Sequence, residues 1–311
     1  MIIADGKKID ALVDRIDELE APIVVGLDTT IEMIPDNVRD AMYEEFGSAP
    51  QAVAGMFTAY NRAIIDSVHD LVPAVKPQIA MYEKYGLDGL IAYHETVSYA
   101  KSKGLMVIGD IKRGDIASTA EAYAAHLSGV ETGGKAYDLW REDFITVNPY
   151  FGSDGILPFT EACEVTGKGI FILVKTSNAG SGELQDLALE DGGPVYLRVA
   201  ELTREWGRGL TGLRGFSSVG AVVGATHPQI GKELRESFPD MFFLVPGSGA
   251  QGATAADLAG FFNAEGRGCI VNSSRAITAA WQRDGRFGPG NIGDAAREVT
   301  LRMKSELSAA K

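Results

Sequence analysis

Leu105-Met-Val-Ile-Gly-Asp-Ile-Lys-Arg-Gly-Asp-Ile116 is an apolar run that passes directly into a charged turn. Leu105–Ile108 reads as a buried strand, and Ser118–Leu127 predicts the helix that follows, with Ala117 or Ser118 near its N-cap. Side chains two apart on an extended chain project to the same side, so Asp110 and Lys112 share a face. Asp115 falls beyond the strand end, so two carboxylates are expected to bracket one ammonium. A surface ion-pair cluster at a strand-to-helix turn accounts for that spacing equally well. The rest of the chain has to decide between them.

The same strand–turn–helix unit recurs on both sides of this stretch. Ile23–Asp28 and Pro73–Ala80 precede it; Phe144–Asn148, Gly169–Val174, Val219–Gly224, Met241–Val245 and Cys269–Asn272 follow. Helical periodicity marks Lys8–Leu19, 55–70, 87–103, Ile156–Val165, Val195–Trp206, Gln229–Phe238, Thr254–Phe262 and Ala295–Leu307. Eight such units in 311 residues, with no linker or composition break, predict a single-domain (β/α)8 TIM barrel over residues 1–311. Residues 31–52 are polar and carry Pro35 and Pro50, and residues 206–217 are glycine-rich; both read as insertions, the first with one short helix. A doubly wound open sheet is the alternative. It is weakened because no Gly-x-Gly-x-x-Gly follows the first strand.

A formal charge of −13 argues against nucleic-acid or acidic-membrane partners, but leaves room for a small anion bound by local positive charge. Cys163 and Cys269 lack metal-ligand spacing and read as free thiols of a reducing, cytoplasmic compartment. No apolar stretch reaches the length of a membrane span, and the charged N-terminus lacks the apolar core of a signal peptide.

Polar residues gather at or just past the strand C-termini: Asp28, Lys76, Asp110, Lys112, Asn148, Ser177, Gln251 and Arg275. In a barrel they surround one mouth, where this fold carries its active sites. Pro246-Gly-Ser-Gly-Ala-Gln-Gly252 could be no more than a tight turn. Its Gly247 and Gly249 also let backbone N–H groups approach an anion, and Arg275 after the last strand suits a phosphate. Lys76 could snorkel to the rim or form a Schiff base; nearby carboxylates favour its charged form instead. Lys76 and Lys112 are therefore expected to remain cations paired with Asp110 and Asp115. His69, His94 and His126 fall in or beside helices and read as solvated, while His227 lacks a ligand partner; no metal motif and no Ser-His-Asp arrangement is present.

Asp110-Ile-Lys-Arg-Gly-Asp-Ile-x-x-Thr119 resembles the signature of the orotidine 5′-phosphate decarboxylase family. Lys76-Pro-Gln-Ile-Ala, Val147–Asp154, Lys175-Thr-Ser-Asn, Pro246–Gly252 and Asn272-Ser-Ser-Arg275 fall in family order, and the added length resembles the longer bacterial branch. The resemblance implies a catalytic array of Lys76, Asp110, Lys112 and Asp115, with Lys112 as proton donor. It implies Asp28 on the ribose, Ser177 on the pyrimidine, and Gln251 and Arg275 on the phosphate. It also implies cofactor-free conversion of orotidine 5′-phosphate to UMP, in a homodimer where Asp115 and Thr119 reach the partner's site. A metal-dependent decarboxylase of a keto sugar phosphate, a Schiff-base aldolase and a silent phosphoribosyl-ligand binder are the competing expectations.

Overall fold

The expected apolar runs form eight strands in the computed structural model, which describes residues 6–190, 192–247 and 254–310. They are β1 (Ile23–Leu27), β2 (Ala74–Pro77), β3 (Met106–Arg113), β4 (Phe144–Val147), β5 (Gly169–Lys175), β6 (Val219–Val223), β7 (Phe243–Val245) and β8 (Cys269–Ser273). Each pairs in parallel with the next, and β8 returns to β1 through Ile23↔Val271, Val24↔Asn272 and Val25↔Ser273. The sheet is therefore a closed (β/α)8 barrel rather than an open doubly wound sheet.

The strands are apolar on both faces because both are covered. Val25, Val75, Val107, Ile145, Ile172, Val223 and Val271 lie in the layer under the helices. Val24, Ala74, Ile108, Phe144, Phe171, Val222, Leu244 and Ile270 form a second cluster inside the barrel. The pleat then places the next residue but one on that inner side, nearer the C-terminal mouth. Ala74 is thus followed by Lys76, Ile108 by Asp110, Phe144 by Thr146 and Ile270 by Asn272. One alternation builds a greasy floor and a polar mouth.

The Lys8–Leu19 helix closes the other end. Its Ile9, Leu12, Val13 and Ile16 pack into the inner cluster, joined by Phe216. The glycine-rich 206–217 segment is tied to this plug: Lys7 Nζ donates to Thr211 O at 2.8 Å, and Arg214 N–H donates to Asp10 Oδ1 at 2.8 Å.

Three features depart from expectation. Residues 31–52 hold a 3-10 turn at Ile31–Met33 and a helix at Asp36–Phe46, and the following helix begins at Pro50 rather than 55, with the proline in its first turn. An exposed hairpin, Val130–Thr132 with Lys135–Tyr137, precedes β4 and turns through Gly133 and Gly134 at φ 58° and 73°. Two glycines take such values in succession without the strain that most residue pairs would carry. The third is His126, which is buried, its Nδ1 2.7 Å from Glu142 Oε2 and its ring stacked on Trp140. Neither cysteine forms a disulfide, both are buried, and burial pushes the Cys163 thiol well up. Among the described residues no helix is long and apolar enough to cross a membrane.

Candidate active site

Asp110 is the centre of the polar mouth. Its Oδ2 accepts from Lys76 Nζ at 2.7 Å, and its Oδ1 accepts from Lys112 Nζ and from Thr146 Oγ1, the latter at 3.0 Å. Lys76 Nζ also lies 3.7 Å from Asp28 Oδ1. The arrangement inverts the expected one: two ammoniums bracket one carboxylate. Asp115 forms no ion pair with Lys112 within the described chain; its Oδ1 accepts from the Ile116 N–H at 2.8 Å.

Lys76 and Asp110 are both buried, and burial alone would neutralise each of them. For Asp110 that push is outweighed by Lys76 and Lys112, which hold the carboxyl well below the usual range. For Lys76 it is outweighed by Asp110 and Asp28, which hold the ammonium well above its usual value. Both therefore stay charged across neutral pH. That is a poor state for forming a Schiff base, which needs a free amine.

Lys112 reaches Asp110 by a route the pleat does not supply. Its φ is +46°, in the left-handed region, and the β3–β4 register shifts between Gly109 and Arg113. A non-glycine residue there carries about 1–3 kcal/mol of strain. The bulge is held by Thr146, whose Oγ1 accepts the Lys112 N–H at 2.9 Å while donating to Asp110. Behind β3, a side chain at Gly109 would strike the fully buried Glu142 carboxylate, which accepts from the Tyr93 hydroxyl and faces His126.

A cavity of about 530 Å³ opens over this array. Lys76, Asp110, Lys112 and Thr146 form one side, Thr176, Ser177 and Gln185 another, and Leu173, Leu184, Val222, Leu244 and Pro246 an apolar wall. Thr176 is already engaged: its N–H donates to Gln185 Oε1 at 2.9 Å, and its Oγ1 accepts from Gln185 Nε2 at 2.8 Å. The Ser177 side chain has no such partner among the described residues, which leaves it free for a ligand. An ion pair from the buried Lys175 Nζ to Oδ1 of the exposed Asp186, at 2.6 Å, anchors the end of this loop.

The family model of orotidine 5′-phosphate decarboxylase / HUMPS matches residues 21–284. The chain belongs to the orotidine 5′-phosphate decarboxylase / HUMPS family. An orotidine 5′-phosphate decarboxylase of Rhodopirellula baltica is 44% identical over 288 residues, 91% of this chain and 93% of its own. Another, from Clostridium acetobutylicum, is 41% identical over 300 residues, 96% of this chain and 98% of its own. The solved orotidine 5′-phosphate decarboxylase of Leishmania donovani superposes with a TM-score of 0.73 at 29% identity, covering 98% of both chains.

Among the decarboxylase-family residues expected at the site, Lys76, Asp110, Lys112 and Ser177 line the cavity. Asp28 stands beside Lys76 at the rim. Arg275 opens a short helix after β8 and is exposed, its side chain without a hydrogen bond or ion pair among the described residues. Gly247 is left-handed at φ 100°; Gly249 and Gln251 lie outside the described residues. Asn148 is exposed past the end of β4 and accepts the Tyr150 N–H, so it does not line the cavity. Thr119 is exposed on the Ala117–Ser128 helix, one turn from Asp115. Thr146, Gln185 and the leucine wall were not expected. The inward alternation of β4 pointed to Thr146, whereas Gln185 depends on a loop path no periodicity encodes.

Proposed function

We propose that this chain decarboxylates orotidine 5′-phosphate to UMP and CO2 without a cofactor. The single observation that carries the reading is Asp110 held between Lys76 and Lys112 under a cavity with one apolar wall. The bond from C6 to the carboxylate breaks, its electron pair remains on C6, and the Lys112 ammonium supplies the proton that ends there. Lys112 then regains a proton from solvent. Charge fixed in advance stabilises the carbanion without reorganising during the reaction. Asp110 faces the departing carboxylate; at ~5 Å and an effective dielectric near 20, two such charges repel by about 3 kcal/mol, relieved as CO2 leaves.

The remote contacts follow the same logic. Asp28 takes the ribose hydroxyls and Ser177 the pyrimidine. Arg275, with Gly247, Gly249 and Gln251, takes the phosphate at the usual position of this fold. Asn148 supports the rim. The chain acts as one barrel domain, with 31–52 and 206–217 as added segments, in the cytoplasm, and binds neither nucleic acid nor membrane.

The active form is a homodimer in which Asp115 and Thr119 complete the partner's site. Support comes from the surface around them: Ile116, Tyr150 and Phe151 are exposed, Tyr150 to 76%, and Asp115 has no side-chain partner among the described residues. Exposed aromatics beside an unpaired carboxylate suit a covered face.

The test is the fall of orotidine 5′-phosphate absorbance on adding protein treated with EDTA. Loss of the substrate band is expected. Tight UMP binding without turnover would replace the enzyme by a silent binder. Turnover only with added Mg2+ would point to metal-dependent chemistry.

A further inference from the structure

We infer that His227 is a positioning residue: it fixes the loop end that presents Ser177, and so sets how tightly the site grips the pyrimidine as distinct from the sugar phosphate. The inference rests on the nucleotide reading above and adds a residue that neither lines the cavity nor enters the charged array. β6 ends at Val223, and residues 224–227 turn the chain into a helix over Pro228–Ser237. His227 stands at the N-cap of that helix, yet its side chain makes no capping bond. The ring reaches the neighbouring loop instead, with Nε2 3.1 Å from Thr176 O. A carbonyl oxygen only accepts, so Nε2 carries the proton and donates.

Other contacts from the same turn converge on that loop end. Gly224 N–H donates to Lys175 O at 2.7 Å, and Thr226 Oγ1 donates to Ser177 O at 3.4 Å. Three consecutive carbonyls, of Lys175, Thr176 and Ser177, are thus held from the β6 turn. Only a glycine permits the approach: a Cβ at Gly224 would stand 2.8 Å from Ser177 Cα. Ala225 N–H donates to Pro246 O at 2.8 Å, so the turn also ties down a second wall of the cavity. The loop end needs this support, because the β5–β6 register shifts between Leu173 and Lys175 and the regular ladder stops there. Of the two side chains that reach it, Thr226 is exposed and its bond long, which leaves His227 as the stronger hold. Gln185 engages the Thr176 N–H and hydroxyl, and His227 takes its carbonyl. Thr176 is then held at every polar group, and the Ser177 hydroxyl beside it is presented in a fixed place. Order paid in advance by the fold is not charged to ligand binding.

The test measures UMP and ribose 5-phosphate binding to the full-length protein by calorimetry, the sugar phosphate by displacement of UMP. Ser177→Ala should weaken UMP about three- to tenfold, the effect of one hydrogen bond, and leave ribose 5-phosphate within about twofold. His227→Phe keeps a planar ring and removes the donor, and the same split between the ligands is expected of it. His227→Ala decides the matter if His227→Phe does not fold. His227→Gln, whose amide N–H can donate to Thr176 O, should restore UMP to within about twofold of wild type. Added to Ser177→Ala, His227→Phe should weaken UMP by no more than about a further twofold, because both act through one contact. A purely structural role would weaken both ligands alike and add in full. Unchanged UMP affinity in His227→Phe, equal weakening of the two ligands, full additivity or no rescue by glutamine overturns the inference, and a base-specific loss in Ser177→Ala then leaves the pyrimidine contact standing. Unchanged UMP affinity in Ser177→Ala removes that contact and the inference with it. Binding of neither ligand by wild type removes the nucleotide reading itself.

Discussion

Replacing Lys76 with methionine keeps the buried volume and removes the charge between two carboxylates. Lys76 Nζ lies 2.7 Å from Asp110 and 3.7 Å from Asp28. At an effective dielectric near 20 these separations correspond to about 6 and about 4.5 kcal/mol of attraction. Desolvation of the lysine offsets much of that, and removing one member of a buried pair costs about 3–5 kcal/mol because the other charge stays buried. The pH dependence has a definite sign. In wild type the Asp110 carboxyl is depressed from 3.8, so its ionisation stabilises the fold above that value and the contribution is lost as pH falls through the lowered one. In Lys76→Met, burial outweighs the single remaining lysine and moves the carboxyl upward. The penalty is then full at neutral pH and shrinks as the carboxyl protonates on acidification. Urea unfolding at about pH 7.5 and about pH 4.5 measures both effects, at fixed protein concentration because subunit association would shift the midpoint. The variant should lose about 3–5 kcal/mol at the higher pH and at least about 1 kcal/mol less at the lower. A loss below about 1 kcal/mol, or one equal at both pH values, would refute the reasoning.

Thr146→Val removes the hydroxyl that joins Asp110 to the Lys112 N–H, a bond of about 1.5–3 kcal/mol; kcat should fall at least about tenfold with UMP affinity little changed, and an unaltered kcat would show that the Lys112 bulge stands without it. Gly109→Ala pushes a methyl group into the Glu142 carboxylate and to 3.1 Å from the Tyr93 hydroxyl, so urea unfolding should show a loss of about 1–3 kcal/mol. No measurable loss would mean that Glu142 yields freely. Tyr150→Asp places a charge on the exposed apolar face beside Asp115; sedimentation should show a shift toward monomer, and activity should fall with it. A dimer of unchanged affinity would place the interface elsewhere.

Much of the fold was legible because the same period-two pattern specifies both sides of each strand. The Lys8–Leu19 and Val195–Trp206 helices have the bounds their periodicity predicts. The polar mouth followed from polar residues at strand ends, and Lys76, Asp110, Lys112 and Ser177 do meet in one cavity. What was not legible depends on contacts distant in sequence. Lys112 faces Asp110 through a left-handed bulge that Thr146, 34 residues on, stabilises; simple alternation gave the same side for a different reason. Asn148 would have shared the inner face had β4 continued, but the strand stops at Val147. His126 looked like a surface histidine because nothing local shows that Glu142 and Trp140 enclose it. The Gly133-Gly134 turn was a hairpin signal, masked by strands only three residues long and wholly exposed.

In the proposed mechanism Lys112 delivers the proton, the rest of the charged array stresses the ground state and steadies the carbanion, and the distant contacts bind and hold. Lys112→Ala leaves the buried Lys76–Asp110 pair in place, since Lys112 is the more exposed of the two lysines around that carboxylate. Turnover of orotidine 5′-phosphate and affinity for UMP should be measured on the same preparation of this variant. Without that proton donor kcat should drop by at least about a thousandfold, about 4 kcal/mol of transition-state stabilisation, while UMP binds within about tenfold of wild type. Turnover within about tenfold of wild type would contradict it, because the proton would then come from another group.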